Sequence, residues 1–239
     1  MLKQKYFLTD FFILSAEKQP IKLSWRNIEW LPNYIQKLVA EGEHVHQDFK
    51  FAISDARKIA RSLSAFANTS GGRLLVGVKD NGKIAGVRSE EEIFMIEAAA
   101  SMYCKPPLEV ENKIYKVEGK DVLEVSIAES KEKPVCAIDD TGKPWAYIRI
   151  ADENILATPV HLAIWKQNDN EKKIIVTYTD KEKYLLEILG GHKLLTLNQC
   201  VRLTHMPRRL IITLLADFIR FELVEPVFKE HTFYFKLKE

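Results

Sequence analysis

Cysteine is scarce in this 239-residue chain: Cys104, Cys136 and Cys200 are all it has. They are odd in number and far apart, and no Cys-x-x-Cys occurs. That argues against a disulfide framework or a cysteine zinc site and suits a reducing cytoplasm. Long apolar runs are missing too. Phe11-Phe12-Ile13-Leu14 is too short for a signal peptide and follows Asp10. No stretch approaches the ~20 apolar residues of a membrane helix, so a membrane is not an expected partner. There is no Gly-x-x-x-x-Gly-Lys-Ser/Thr, which discounts an ATP-binding phosphate loop. A charge excess of one sign is also lacking, since 35 Lys and Arg face 33 Asp and Glu. Net charge alone therefore says nothing about a polyanionic partner, and the local placement of charge must.

What is there is ordinary globular stock, 46% hydrophobic and 28% charged. The length allows one large domain or a medium one with a small one, each able to bury a core. The pattern divides into an aromatic-rich extension at 1–30, a first domain at 31–166, a polar linker at 167–177 and a second domain at 178–239. In the first domain, Pro32 opens a helix that Gly42 ends. A strand is expected at 44–51. Ser54-Asp55 then caps an amphipathic helix whose Ala56, Ile59, Ala60, Leu63, Phe66 and Ala67 face inward. Asn68 and the glycines after it stop that helix. Strands at 74–78 and 83–87 are expected to form a hairpin through Asn81-Gly82. A helix at 90–102, strands at 108–117 and 122–127, a short strand at 147–150 and a helix at 161–166 follow. The second domain reads as three helices and a terminal pair of strands, the winged-helix order.

The chemistry concentrates around Asp48-Phe49-Lys50. Alternation along a strand puts Asp48 and Lys50 on one face and Phe49 on the core side. A carboxylate two residues before a lysine suits metal-assisted phosphodiester cleavage, with the lysine steadying charge on phosphorus. Glu43 and Asp80 extend that set, provided the turn bearing Asp80 lies beside the Asp48 strand. Alternation would place Glu43 on the other face unless the strand starts late or bulges. A rival set is His44, His46 and Asp48 as transition-metal ligands. A solvated charged strand face explains the same residues without any chemistry.

Candidate phosphate contacts are Arg57, Lys58 and Arg61 on the capped helix, with Arg73, Lys79 and Arg149 on strands or turns. In the last helix, Ile211, Leu214, Leu215 and Phe218 should pack inward, leaving Arg208, Arg209, Thr213 and Arg220 for a DNA groove. Protein contact or dimerisation is the competing role for that helix.

Glu43-His44-Val45-His46-Gln47-Asp48-Phe49-Lys50, Ala65 to Gly72, Leu75 to Gly82 and Ile84 to Val87 together resemble the Schlafen/AlbA-like domain family. Lys133-Pro134 and Tyr147 to Ile150 look like its later landmarks. The resemblance covers roughly residues 31–165. It implies an α+β fold, a mixed sheet with flanking helices, followed here by a winged helix-turn-helix. It also implies a nucleic-acid partner, DNA ahead of RNA. Bacterial members are mostly labelled DNA-binding regulators or, by similarity, ATP-binding proteins. Some eukaryotic relatives are metal-dependent endoribonucleases acting on transfer RNA, and their two glutamates and an aspartate fall on Glu43, Asp48 and Asp80. The usual acid of Glu-Phe-Lys is here the shorter Asp48, and His44 replaces a small hydroxyl residue. The expectation is a cytoplasmic DNA-binding transcriptional regulator with no certain cofactor. A Mg²⁺- or Mn²⁺-dependent ribonuclease is the second reading. A dimerising interaction module, with the chain a homodimer, is the third.

Overall fold

The computed structural model describes residues 32–168 and 179–238. The aromatic-rich extension and most of the expected linker lie outside the described residues. Helix α1 (Pro32–Glu41) leads into strand β1 (Gln47–Lys50) and helix α2 (Ala56–Asn68). Asp55 caps α2 as expected, its carboxylate accepting from the backbone N–H groups of Arg57 and Lys58. Strand β2 (Gly72–Val76) returns parallel to β1, which makes β1-α2-β2 a crossover unit. Helix α3 (Glu91–Ser101), short β3 (Cys104–Lys105), and the long pair β4 (Val110–Val117) and β5 (Lys120–Ile127) follow. Glu118 and Gly119, both at positive φ, close the β4–β5 hairpin. Then come β6 (Cys136–Ile138), β7 (Pro144–Ile150), β8 (Glu153–Leu156) and helix α4 (Pro159–Asn168).

Two four-stranded sheets result, ordered β1-β2-β5-β4 and β3-β6-β7-β8. Helix α2 lies between them. Its Leu63 and Phe66 pack with Leu74, Val76, Leu123 and Val125 of the first sheet, and Val135 and Ala137 close the same core. Covered on both sides, α2 buries Ser62, Ser64 and Asn68 along with its apolar stripe. The other face of the first sheet is half covered by α1, where Ile35 and Leu38 meet Phe49, Leu75 and Val122.

The expected strand over 83–87 is not a ladder strand. The turn exists, with Lys79 N donating to Lys83 O at 3.1 Å, but only an isolated bridge joins Val78 to Ile84. Gly77 and Gly86, at φ +90° and +86°, bend the chain out of the sheet at each arm. A Cβ on Gly77 would sit 2.8 Å from the Gly86 carbonyl carbon, so the arms approach more closely than any side chain allows. Strand β2 pairs instead with β1 and β5.

The C-terminal unit comprises α5 (Asp180–Gly190), β9 (Leu195–Thr196), α6 (Leu197–Thr204), α7 (Arg208–Arg220), β10 (Val224–Lys229) and β11 (Thr232–Leu237). Thr179 and Thr196 build capping boxes with Glu182 and Gln199, which explains where α5 and α6 begin. The three strands form one antiparallel sheet ordered β10-β11-β9. Helix α4 was expected to close the first domain, with a linker from 167. It runs to Asn168, and its Val160 is part of the C-terminal core with Leu185, Leu215 and Phe218. Its Trp165 is buried with Ala146 and Ile148 of β7, so α4 packs on both units.

Candidate nucleic-acid interface

Strand β1 starts three residues later than expected, and that shift shapes the site. Residues 44–47 form a tight turn in which His44 and Gln47 exchange backbone bonds of 2.9 and 3.0 Å. The turn folds Glu43 back alongside the strand, so that its carboxylate accepts from Phe49 N at 2.9 Å. Glu43 thus reaches Asp48 through a turn, which strand alternation could not do. Gln47 fixes the turn by donating to the carbonyls of Leu38 and Gly42 at 2.6 and 2.7 Å.

Asp48 is only 3% exposed. Lys50 Nζ lies 2.7 Å from one of its oxygens and Arg149 Nη2 lies 3.4 Å from the other. Ser62 Oγ donates to it at 3.5 Å. Burial works against the charged form of Asp48. The hydrogen bond from Glu43 and the Lys50 and Arg149 cations outweigh it and hold the carboxyl below the ordinary aspartate range. Glu43 moves the other way: burial and its hydrogen bond to Asp48 push it up, against the Phe49 N–H. The two carboxyls are coupled, Asp48 biased toward its charged form and Glu43 toward its protonated form.

Arg149 was a candidate phosphate contact, and the structure places it in the interior. Its side chain is 1% exposed. Nη1 donates to Asn154 Oδ1 at 2.9 Å, Nη2 to Gln47 O at 3.1 Å and Nε to His44 O at 3.4 Å. The guanidinium also lies 5.1 Å from the centroid of the Phe66 ring. Arg149 is a clamp between β7 and the turn before β1, and it has no surface to offer a phosphate.

The metal set expected on Glu43, Asp48 and Asp80 does not assemble. Asp48 is already neutralised by two cations, Glu43 is bonded to the β1 backbone, and Asp80 stands exposed on the turn after β2. Among the described residues no group of three or more His, Cys, Asp or Glu could hold a metal ion. The rival histidine set fails by the same test. His44 and His46 stack edge to face at 6.2 Å, and His44 Nδ1 accepts from His46 N. A divalent cation does not fit these residues.

The remaining basic candidates occupy separate elements. Arg57 is paired with Asp140 at 3.3 Å and lies over the Tyr103 ring, while Lys58 and Arg61 are exposed on α2. Arg73 bonds Tyr34 Oη at 3.1 Å and the buried Glu124 at 3.4 Å. It edges a cavity of about 380 Å³ on the half of the sheet face that α1 leaves open, lined also by His46, Ser70, Lys113 and Tyr115. Lys79 is exposed beside Phe51. Arg208 and Arg209 are exposed at the start of α7, and Arg208 donates to Asn198 Oδ1. Arg220, expected to face a groove, turns to Asp217 at 4.0 Å and Gln167 at 3.3 Å, so it belongs to the contact with α4.

The motif at 68–72 proves to be a joint. Asn68 donates to Val135 O at 2.7 Å and Tyr147 O at 2.9 Å, and accepts from Val135 N at 2.8 Å. Thr69 Oγ1 accepts from Arg149 N at 2.8 Å. A Cβ on Gly72 would lie 2.3 Å from the Phe66 ring, and one on Gly71 2.8 Å from Ile127 O. These residues fasten α2, both sheets and the Arg149 strand together. The profile of the Schlafen, AlbA_2 family matches residues 43–158, the stretch that contains this joint and the Glu43–Asp48–Arg149 cluster.

Residues 43–158 are a Schlafen/AlbA_2 domain. The match ends just ahead of α4. That match supports a nucleic-acid-related role for residues 43–158. No curated protein matches the chain. Among solved structures, the DIP2311 protein of Corynebacterium diphtheriae is 19% identical with a TM-score of 0.39. The alignment covers 62% of this chain and 30% of that one, so this chain spans under a third of its length. The N-terminal domain of a protein from Nitrosomonas europaea, described as related to the ATP-dependent DNA helicase RecG, is 20% identical with a TM-score of 0.39. That alignment covers 61% of this chain and 96% of that domain. No helix among the described residues is long and apolar enough to cross a membrane.

Proposed function

We propose that the chain is a DNA-binding transcriptional regulator in which a Schlafen/AlbA_2 domain is joined to a winged-helix unit. The observation that carries this is α7. Its Ile211, Leu214, Leu215 and Phe218 are buried, while Arg208, Arg209 and Thr213 are exposed on the free side. The unit around it runs helix, strand, helix, helix, strand, strand over a three-stranded sheet, the order in which a recognition helix precedes a wing. The two arginines stand at the first turn of the helix, where a groove-entering helix meets base edges and phosphates. The nuclease reading draws no support from the carboxylates, because Asp48 is spent on Lys50 and Arg149.

The test is selection of bound fragments from a random duplex library, followed by titration of the selected site at several salt concentrations. The wild type should show a log–log salt slope of several units. The Arg208→Ala, Arg209→Ala double variant should lower it by about 1.8, at about 0.9 per phosphate contact. Binding indifferent both to salt and to that double variant refutes the proposal.

A further inference from the structure

Phe51 lies just beyond the C-terminal end of β1, and it is 40% exposed. Two cations lie over its ring. The Arg88 guanidinium carbon is 4.7 Å from the ring centroid and the Lys79 Nζ is 5.2 Å from it. Both residues are exposed, and among the described residues neither forms an ion pair with a carboxylate.

The three side chains hang from a fixed frame. Lys50 O accepts from Gly77 N at 2.8 Å and from Val78 N at 3.4 Å, which ties the Lys79 turn to the residue beside Phe51. On the other side, the buried Glu92 carboxylate takes Ile53 N at 3.1 Å on one oxygen and Arg88 N at 3.0 Å on the other. An acid that is only 4% exposed thus staples the strand leaving Phe51 to the loop bearing Arg88. Sequence reading missed this, because Glu92 looks like an ordinary first-turn acid of α3.

We propose that Phe51 is the stacking platform for one unpaired base of a single-stranded nucleic acid, with Lys79 and Arg88 taking the flanking phosphates. The inference rests on the nucleic-acid binding proposed above and adds a second contact outside the C-terminal helix. An aromatic face with cations beside it is the arrangement by which single strands are held without base-edge readout. A cation resting on an exposed ring is weakly held, and a phosphate offers it a charge-assisted bond instead. A duplex has no free base face to give Phe51, so the platform selects against it.

The test is fluorescence anisotropy of the full chain with oligothymidylate and oligouridylate of about 12 nucleotides, within the usual site sizes, and with a duplex of equal length. Phe51→Ala should weaken single-strand binding about tenfold, the order of one lost stack, and leave duplex binding unchanged. Phe51→Leu keeps the apolar bulk and should lose as much, whereas Phe51→Trp should keep the affinity. Lys79→Ala and Arg88→Ala should each lower the single-strand salt slope by about 0.7. Phe94→Ala, at a ring 65% exposed on α3, is the control and should change nothing. Equal loss on thymidylate and uridylate means that the 2′-hydroxyl is not read; loss on one alone assigns the platform to that polymer. A wild type that binds single strands while Phe51→Leu stays within about twofold overturns the platform. A wild type that binds only duplex overturns it and leaves the regulator standing. A wild type that binds neither overturns both.

Discussion

Replacing Arg149 separates a structural clamp from a nucleic-acid contact. The guanidinium is 1% exposed and serves Asp48, Asn154 and the carbonyls of Gln47 and His44. In Arg149→Met the side chain stays apolar beside Phe66 and each of those acceptors loses its bond from Arg149, while the two carbonyls keep their backbone donors. Removing one partner of a buried ion pair costs about 3–5 kcal/mol, because the other charge is stranded. Lys50 still neutralises Asp48 at 2.7 Å, and that places the expected loss near the low end, about 3 kcal/mol. With a urea m-value of about 2 kcal/mol per molar, the midpoint should fall by roughly 1.5 M. The assay is equilibrium urea unfolding at neutral pH, followed by tryptophan fluorescence and far-UV circular dichroism together. A double cycle with Asp48→Asn apportions the loss, and the second substitution should cost much less once Arg149 is gone. A midpoint unchanged to within about 0.3 M, combined with weaker nucleic-acid binding, would refute the clamp and restore Arg149 to the surface role expected from its charge.

Other substitutions probe the same frame. Gly72→Ala drives a methyl to 2.3 Å from the Phe66 ring and 2.8 Å from His46 O, so thermal unfolding should register a loss of about 2 kcal/mol or more. His161 is held down to about 4 by burial, and Thr158 N donates to its Nδ1 at 3.2 Å. Its folded pKa is below its unfolded one, so its contribution is full above about 6.5 and falls away as the pH drops toward 4. Over that window the wild type should lose up to about 3 kcal/mol more than His161→Gln, read from urea midpoints across pH. Because no carboxylate set is assembled among the described residues, Mn²⁺ at millimolar concentration should leave the melting temperature of both wild type and Asp48→Asn unchanged. A clear rise in the wild type alone would show that Asp48 does ligate metal.

Local signals gave up most of the fold. The Asp55 cap, the Glu118-Gly119 turn and the inward stripe of α7 were each readable, because a cap, a primed turn and a 3.6 period are decided within a few residues. Elements missed or misplaced depend on distant partners. Short β3, β6 and β8 exist because β7 and each other supply their pairs. The apparent return strand after Asn81-Gly82 looks right by composition, yet β2 is already paired on both edges by β1 and β5. Helix α4 has a pattern that suits either core, and it packs into both: Val160 joins Leu185 and Phe218, while Trp165 joins Ala146 and Ile148 of β7.

The candidate site shows the same division in its charges. Alternation put Asp48 and Lys50 on one face, and Glu43 joins them only because the turn at 44–47 folds it back. Sequence spacing could not weigh Arg149, which lies about a hundred positions away and decides what Asp48 does. A carboxylate with one lysine beside it is open to a cation; a carboxylate with a lysine, a buried arginine and a hydrogen-bonded glutamate is saturated. The joint at Asn68 to Gly72 follows the same logic. Its glycines are conformational and steric requirements of two sheets meeting one helix, and a phosphate loop is not needed to explain them. What the specific motif identifies is therefore a frame. The proposed base platform lies at its rim, where Phe51, Lys79 and Arg88 are left exposed on segments tied to Lys50 and Glu92. A buried cluster this well satisfied holds those rim residues in place.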